Sequence, residues 1–399
     1  MASPARRADI AFVVTVGLCL LALVAFGVIG RRLELIGNDD FSRIWAGPRA
    51  VLLGHDPYDP VTWPATAQAL GTLAPDTGIP VYPYPLWVVL VILPIGLMPL
   101  PVAALLWLIA SLTAGITGLH ALLREYLPER PGAHALAAAI LLLSWVGLLS
   151  LIIGQWGFLL IGALCATTVC LRSGRARAAG VAAAALAAKP QLFMFAAPAL
   201  ALHALWPTRG RAIARDGLRF LAVAVGIFAV PFVVSFIVRP GWFPEWLRFA
   251  GSALLPDSDT IPALLLTVGG EGALHAAPIA LLLLIAIGLC FHPRSDAWLP
   301  VWLALSSAGV LYGNSYDHIL LIVPIVMASG VAARRSRRAS WIVLGIGALV
   351  LLVVTPLMYQ LAVVRHSETY GVLVPLAVFA TIVIALWPLR RVGEPSERV

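Results

Sequence analysis

Apolar runs long enough to cross a bilayer recur along the whole chain, separated by short segments that carry arginines. A span needs about 20 mostly apolar residues, because the hydrocarbon core is roughly 30 Å thick. Backbone polar groups cannot stay unpaired in lipid, so spanning segments without the alternation of a transmembrane barrel must be helical. The 399 residues have a mean hydropathy of +0.94 and only 12% charged side chains. These values exclude a soluble domain of this length. The expected fold class is therefore all-α: one polytopic helical membrane domain over 1–399, with about 12 transmembrane helices. The net charge of +8 does not indicate a nucleic-acid partner, since the arginines cluster between apolar runs as the positive-inside rule requires. The cysteines, Cys19, Cys165, Cys170 and Cys290, lie in or at the ends of apolar runs. Their spacing suits neither zinc nor disulfides, so they read as small buried hydrophobes.

Arg6 and Arg7 precede a first span at about 10–30, which reads as uncleaved and puts the N-terminus in the cytoplasm. Residues 31–82 form a first outside loop, in which FSRIWAGPRAVLLG and DPVTWPATAQALGTL read as interfacial helices. Trp45 and Trp63 there suit the headgroup level. The clusters Arg334–Arg338 and Arg390–Arg391 should be cytoplasmic, with spans at about 340–360 and 370–387 between them. Arg209, Arg211, Arg215 and Arg219 should lie on the same side, which makes 239–262 a second outside loop. The middle admits two paths. If 178–206 crosses once, there are 12 spans, but Arg172, Arg175 and Arg177 fall outside. If Lys189-Pro190 breaks that segment into two short helices, these arginines return inside, and another irregularity is needed between 84 and 123. A broken helix at membrane depth is tolerated where it lines a cavity, so the break itself points to a site.

Several polar residues interrupt these runs. Asp39 and Asp40 stand at the start of the first outside loop. Asp40 can be the N-cap of a helix over FSRIWAG, and either carboxylate, held at a helix start, can act as a general base. Lys189 is the only lysine in the chain and sits in an apolar segment, AAALAAKPQLFMF. An ionisable residue there is costly and needs a partner, for which a phosphate is suited; the alternative is snorkelling to the surface. Gln155, in GQWG, can donate and accept, as a sugar hydroxyl requires; otherwise GQWG is a turn with an interfacial Trp156. His318, beside Tyr316 and Asp317, reads either as an interfacial histidine or as a phosphate or sugar contact. Tyr82 and Tyr84, in VYPYPLW, suit a membrane interface and also stacking on a pyranose. No phosphate-binding glycine loop, dinucleotide motif, zinc motif or nucleophile elbow is present, and no repeat of fixed period.

The order of these short motifs resembles a family. DDFSRIWAGPRAVLLGHDPYD is followed by VYPYPLWVVLVILPIGLMP, then LIIGQWG, AALAAKPQLF and GNSYDHILL. Over roughly 10–330 this resembles the polyprenol-phosphate-mannose-dependent mannosyltransferases of glycosyltransferase family 87, in the GT-C fold class. The family's YP motif normally has a second proline directly after the first, whereas here Tyr84 precedes Pro85. The resemblance implies a catalytic base at Asp40, with Asp39 as the alternative. It also implies donor phosphate or sugar contacts at Lys189, His318 and Gln155; Tyr82 and Tyr84 stay candidates for the sugar through their own place and chemistry, since the altered motif carries no family role onto them. It implies inverting transfer from a polyprenyl-phosphate-sugar donor, most simply polyprenyl phosphate mannose, to a glycolipid or lipid-linked acceptor. The site would face the extracytoplasmic side of the cytoplasmic (inner) membrane, with membrane lipids around it, no nucleic acid, no metal and no other cofactor. The rival is a transporter or flippase of a lipid-linked sugar, for which broken helices related by a repeat would be expected.

Overall fold

The computed structural model describes residues 3–34, 39–72, 81–206, 211–252 and 258–391. Among them the secondary structure is helical and no strand occurs. Six helices are long and apolar enough to cross a bilayer, or eight if two bent pairs each count as one span; four shorter apolar helices accompany them. The chain is an all-α integral membrane protein. By length and composition the described residues thus hold six to eight candidate spans, where about twelve were expected.

The first helix, α1 (Pro4–Ala25), begins at Ser3, whose hydroxyl accepts from the Arg6 amide. After α2 (Val28–Glu34), the first loop holds α3 (Asp40–Leu52) and α4 (Trp63–Ala69). These helices were expected, but their tryptophans are not at a lipid surface. Trp45 and Trp63 are buried, and the Trp45 indole donates to the Met98 carbonyl at 3.0 Å. Two short helices follow, α5 (Leu86–Val91) and α6 (Leu93–Gly96), broken by Pro94. They do not leave the first loop: Gly96 sits directly on the Pro48–Arg49 backbone of α3. This is the irregularity that the sequence required between 84 and 123.

The long helix α7 (Leu100–Tyr126) runs from this loop end to the opposite end. Its 27 residues span about 40 Å at 1.5 Å per residue. The chain returns through α8 (Pro131–Leu143) and α9 (Trp145–Ile152), bent by 47°, and α10 (Gly157–Arg172) descends again against α7. Glycines let these two backbones touch. A Cβ at Gly162 would lie 2.7 Å from the Ala114 carbonyl oxygen, and one at Gly118 would lie 2.8 Å from the Gly162 Cα. Close packing of small residues is the main attraction between helices in lipid, where the hydrophobic effect is absent.

Helices α11 (Ala176–Ala184) and α12 (Ala196–Leu205) decide between the two paths open in the sequence. Ala176 and His203, near opposite ends of this segment, line one cavity together with Arg172, Asp296 and Arg334. The segment therefore enters and leaves at the same end, and Lys189 lies between two turns of 3-10 helix at its tip. Arg172 bonds Glu125 and Asp296, and Asp296 also pairs with Arg334. The awkward arginine thus shares an end with the arginine cluster at 334–338, as the broken-helix alternative requires.

From this arginine end α13 (Arg211–Val238) rises to the loop end, where α14 (Trp242–Ser252) lies over the first loop. Arg239 bridges Asp56 and Glu245, each at 2.6 Å, and the Trp246 indole donates to the Pro83 carbonyl. Part of the second outside loop, 253–257, and Arg209 lie outside the described residues. Helices α15 (Ile261–Leu274) and α16 (Ala277–Leu289) form the second bent pair, at 113°. Helix α17 (Trp298–Ala308) leads to a 3-10 segment, Ser315–Leu321, that continues into α18 (Ile322–Ala333). The C-terminal hairpin is α19 (Arg337–Leu349) with α20 (Thr355–Arg365), then α21 (Leu373–Leu386). Its turn is made at His366, the one described non-glycine residue with positive φ, at 53°.

Candidate active site

The polar interruptions converge where the first loop meets the tip of the broken α11–α12 segment. A cavity of about 420 Å³ opens there. Asp40 and Arg43 of α3, Tyr84, Gln155, Lys189, Trp246 and Tyr316 line it. These residues come from six separate stretches of chain, which explains why no single motif carried the site.

The acidic doublet divides its work. Asp39, not Asp40, is the N-cap of α3: its Oδ1 accepts from the Ser42 amide at 2.9 Å and also from the Ser42 hydroxyl. Its Oδ2 accepts from Arg32 at 2.7 Å, and Arg32 also donates to the Ile152 carbonyl. Asp39 is 4% exposed and does not line the cavity. Burial raises its carboxyl pKa, while Ser42 and Arg32 pull it back down. Both of its oxygens are occupied by the fold.

Asp40, one residue on, begins the helix proper and turns to the cavity, with its side chain 21% exposed. Gln155 donates to its Oδ2 at 2.5 Å, and Arg43 lies 3.4 Å from its Oδ1. Gln155 reaches it because the GQWG turn places Gly154 at φ +69° and brings the chain back toward α3, where the Phe41 amide donates to the Ile153 carbonyl. The turn was legible; an interfacial Trp156 was not what formed, since that ring is buried edge-on against Trp107 at 4.7 Å.

Lys189 does not snorkel. It is 4% exposed, and its Nζ donates to Asp317 Oδ1 at 2.7 Å, with the Tyr316 ring 4.7 Å away. The lysine thus has a protein counter-ion. An ammonium carries three donors, and one of them serves Asp317. Asp317 also closes the Asn314 capping box, so the 3-10 turn that carries it is itself pinned.

Two other predicted residues stand elsewhere. Tyr82 is fully buried under α3, its hydroxyl donating to the Ile44 carbonyl at 3.1 Å and its ring occupying the space that a Cβ at Gly47 would need. Tyr84 lines the cavity; Tyr82 does not. His318 points the opposite way from Lys189, into a separate cavity of about 10 Å³ shared with Asp259 and Glu368. Its Nε2 is 3.6 Å from Asp259 Oδ2, and neither Asp259 oxygen has a hydrogen-bond partner. Burial pushes the Asp259 carboxyl up to about 9, and Glu368 and Asp317 add repulsion.

Residues 82–324, more than half of the chain, match the sequence model of glycosyltransferase family 87. The chain belongs to glycosyltransferase family 87. No curated protein matches it. A family 87 enzyme is a membrane glycosyltransferase, so it must hold a sugar donor against an acceptor, and the matched region includes Tyr84, Gln155, Lys189 and Asp317. Asp40 and Arg43 precede it.

Sequence reasoning overlooked Arg43 and Trp246, which line this cavity, and Asp317, which pairs with the lysine in its wall. Arg43 was findable: it lies three residues after Asp40, on the same helix face. Asp317 was seen only as a neighbour of His318, although a lone lysine at membrane depth calls for a carboxylate. Trp246 carried no such signal, because its place depends on how α14 folds back over Pro83.

Proposed function

We propose that this enzyme transfers a sugar, mannose being the leading candidate, from a polyprenyl monophosphate donor to a lipid-linked or glycolipid acceptor. Transfer inverts the anomeric centre and takes place on the extracytoplasmic face of the cytoplasmic (inner) membrane, with Asp40 as general base. One observation carries the reading. Asp40 is a partly exposed carboxylate on the wall of a 420 Å³ cavity whose other walls supply Arg43, Lys189 and Gln155.

In this reading the acceptor hydroxyl attacks the anomeric carbon while Asp40 removes its proton, a contribution of roughly 10²–10⁴-fold. The anomeric carbon–oxygen bond to phosphate breaks, and its electron pair leaves with the polyprenyl phosphate. Arg43 meets that phosphate, together with the donors of Lys189 not used by Asp317. Fixed cationic donors in a site screened from water stabilise a developing anion more than water does. Gln155 orients Asp40, and Tyr84 offers a ring to the sugar. Tyr82 and His318 support walls rather than touch the donor. Transfer proceeds without a metal ion or other cofactor. The positive-inside rule sets the orientation: the arginine end is cytoplasmic, and the cavity opens outside.

The test supplies purified protein with radiolabelled polyprenyl phosphate mannose, polyprenyl phosphate glucose, polyprenyl phosphate arabinose or a nucleotide-linked mannose, in the presence of a membrane lipid extract. Label entering lipid from the polyprenyl phosphate mannose alone is the expected result. Transfer from the nucleotide sugar, or from none of the four, overturns the donor assignment.

A further inference from the structure

At the arginine end, far from the cavity, Asp9 of α1, His120 of α7 and His134 of α8 meet. One ligand atom from each lies within 4.8 Å of the others. His120 Nε2 is 2.9 Å from Asp9 Oδ1, and the Phe12 ring stacks on the His120 imidazole at 4.6 Å. These contacts fix two of the three side chains. The third is the informative one.

His134 has no exposure at all. Its Nε2 lies 3.1 Å from the Leu127 carbonyl, an acceptor, so that nitrogen carries the proton. In the neutral ring the remaining nitrogen, Nδ1, is then a bare lone pair, and it has no partner. Leaving a buried acceptor unsatisfied is unfavourable, and an Asp–His pair alone accounts for Asp9 and His120 but not for this nitrogen. A metal-binding histidine commonly donates its other N–H to a backbone carbonyl, which is the arrangement found here.

We propose that Asp9, His120 and His134 bind one divalent transition-metal ion, with zinc(II) the best fit to two imidazoles and a carboxylate, and a fourth position left for water. Tetrahedral bonds of about 2.0–2.2 Å set ligand atoms about 3.3 Å apart, closer than the 4.8 Å that bounds the three groups here, so binding draws the side chains together on the ion. Arg124, whose Nε is 3.8 Å from Asp9, is 65% exposed and free to swing toward solvent. The ion would tie α1 to α7 and α8. His120 stands 20 residues along α7 from Leu100, about 30 Å of helix, so the metal takes no part in chemistry at Asp40.

The experiment uses full-length protein purified in detergent with a tag free of histidine, stripped with chelator and titrated with zinc chloride. Metal content and thermal unfolding are read together, and cobalt(II) serves as a spectroscopic probe. Wild type is expected to bind one zinc per chain, to unfold at higher temperature with zinc than without, and to give the visible absorption of tetrahedral cobalt. Asp9→Asn and His120→Gln, at partly exposed positions that leave the core intact, should each bind zinc at least tenfold more weakly and lose the thermal shift. Wild type that binds no more zinc than these variants, or that gains no stability from it, overturns the site.

Discussion

At the scale of single residues, adjacent or paired charges carry different loads, and substitutions should separate them. Asp39 is the cap and counter-ion; Asp39→Asn is expected to lower the unfolding temperature, since breaking a buried pair costs about 3–5 kcal/mol. Lys189 and Asp317 form a second buried pair. Lys189→Met should destabilise by a similar amount and weaken donor binding. The double variant Lys189→Met/Asp317→Leu should recover much of the stability but not the donor affinity, which thermal unfolding and donor titration would report. Asp259 gives a pH test. Its folded pKa of about 9 exceeds the ordinary 3.8, so the folded state holds a proton that the unfolded state has released. Its contribution to stability is full below about pH 4 and is lost as pH rises toward 9. Wild-type unfolding temperature should therefore fall between pH 7 and 9 more steeply than that of Asp259→Asn; parallel curves would remove Asp259 as the cause. The sequence marked Lys189 and Gln155 because polar groups in apolar chain are costly, and Asp39 and Asp40 as a carboxylate doublet at a helix start in the first outside loop. It could not say which aspartate faced a cavity, since that depends on Arg32 reaching Asp39 across the loop.

At the scale of elements, the helices were legible where apolar length was sufficient, as in α1, α7 and the α19–α20 rod. The short ones were ambiguous for a physical reason. Thirteen residues of α11 and its 3-10 extension reach about 20 Å, less than a bilayer, and only the contacts of His203 and Ala176 with one cavity reveal that the chain turns back. The α7–α10 contact tests how these elements are held. Gly162→Leu should clash with the Ala114 carbonyl and cost about 1–3 kcal/mol as overpacking. Gly345→Leu, at a position with open space around it, should be nearly neutral. Equal unfolding temperatures for the two variants in detergent would mean that α7 and α10 are not in backbone contact.

At the scale of the whole molecule, the broken α11–α12 segment reaches the first loop at one end, and the clusters around Arg172 and Arg334 mark the other. The class of the fold followed from hydropathy alone, whereas the path through 84–206 did not, because a re-entrant segment and a crossing have the same composition. Charge asymmetry between the two ends gives the account a direction in the membrane, and the cavity under the first loop gives it a place for chemistry. The central claim is that Asp40 in that cavity accepts the proton of the attacking hydroxyl. It is tested most directly by single-turnover transfer from radiolabelled polyprenyl phosphate mannose, with donor binding measured in parallel, for wild type, Asp40→Asn and Asp39→Asn. The account predicts that Asp40→Asn binds donor within about threefold of wild type yet transfers at least 10²-fold more slowly, while folded Asp39→Asn retains transfer. Wild-type rates in Asp40→Asn, or a chemical step lost only in Asp39→Asn, would contradict it.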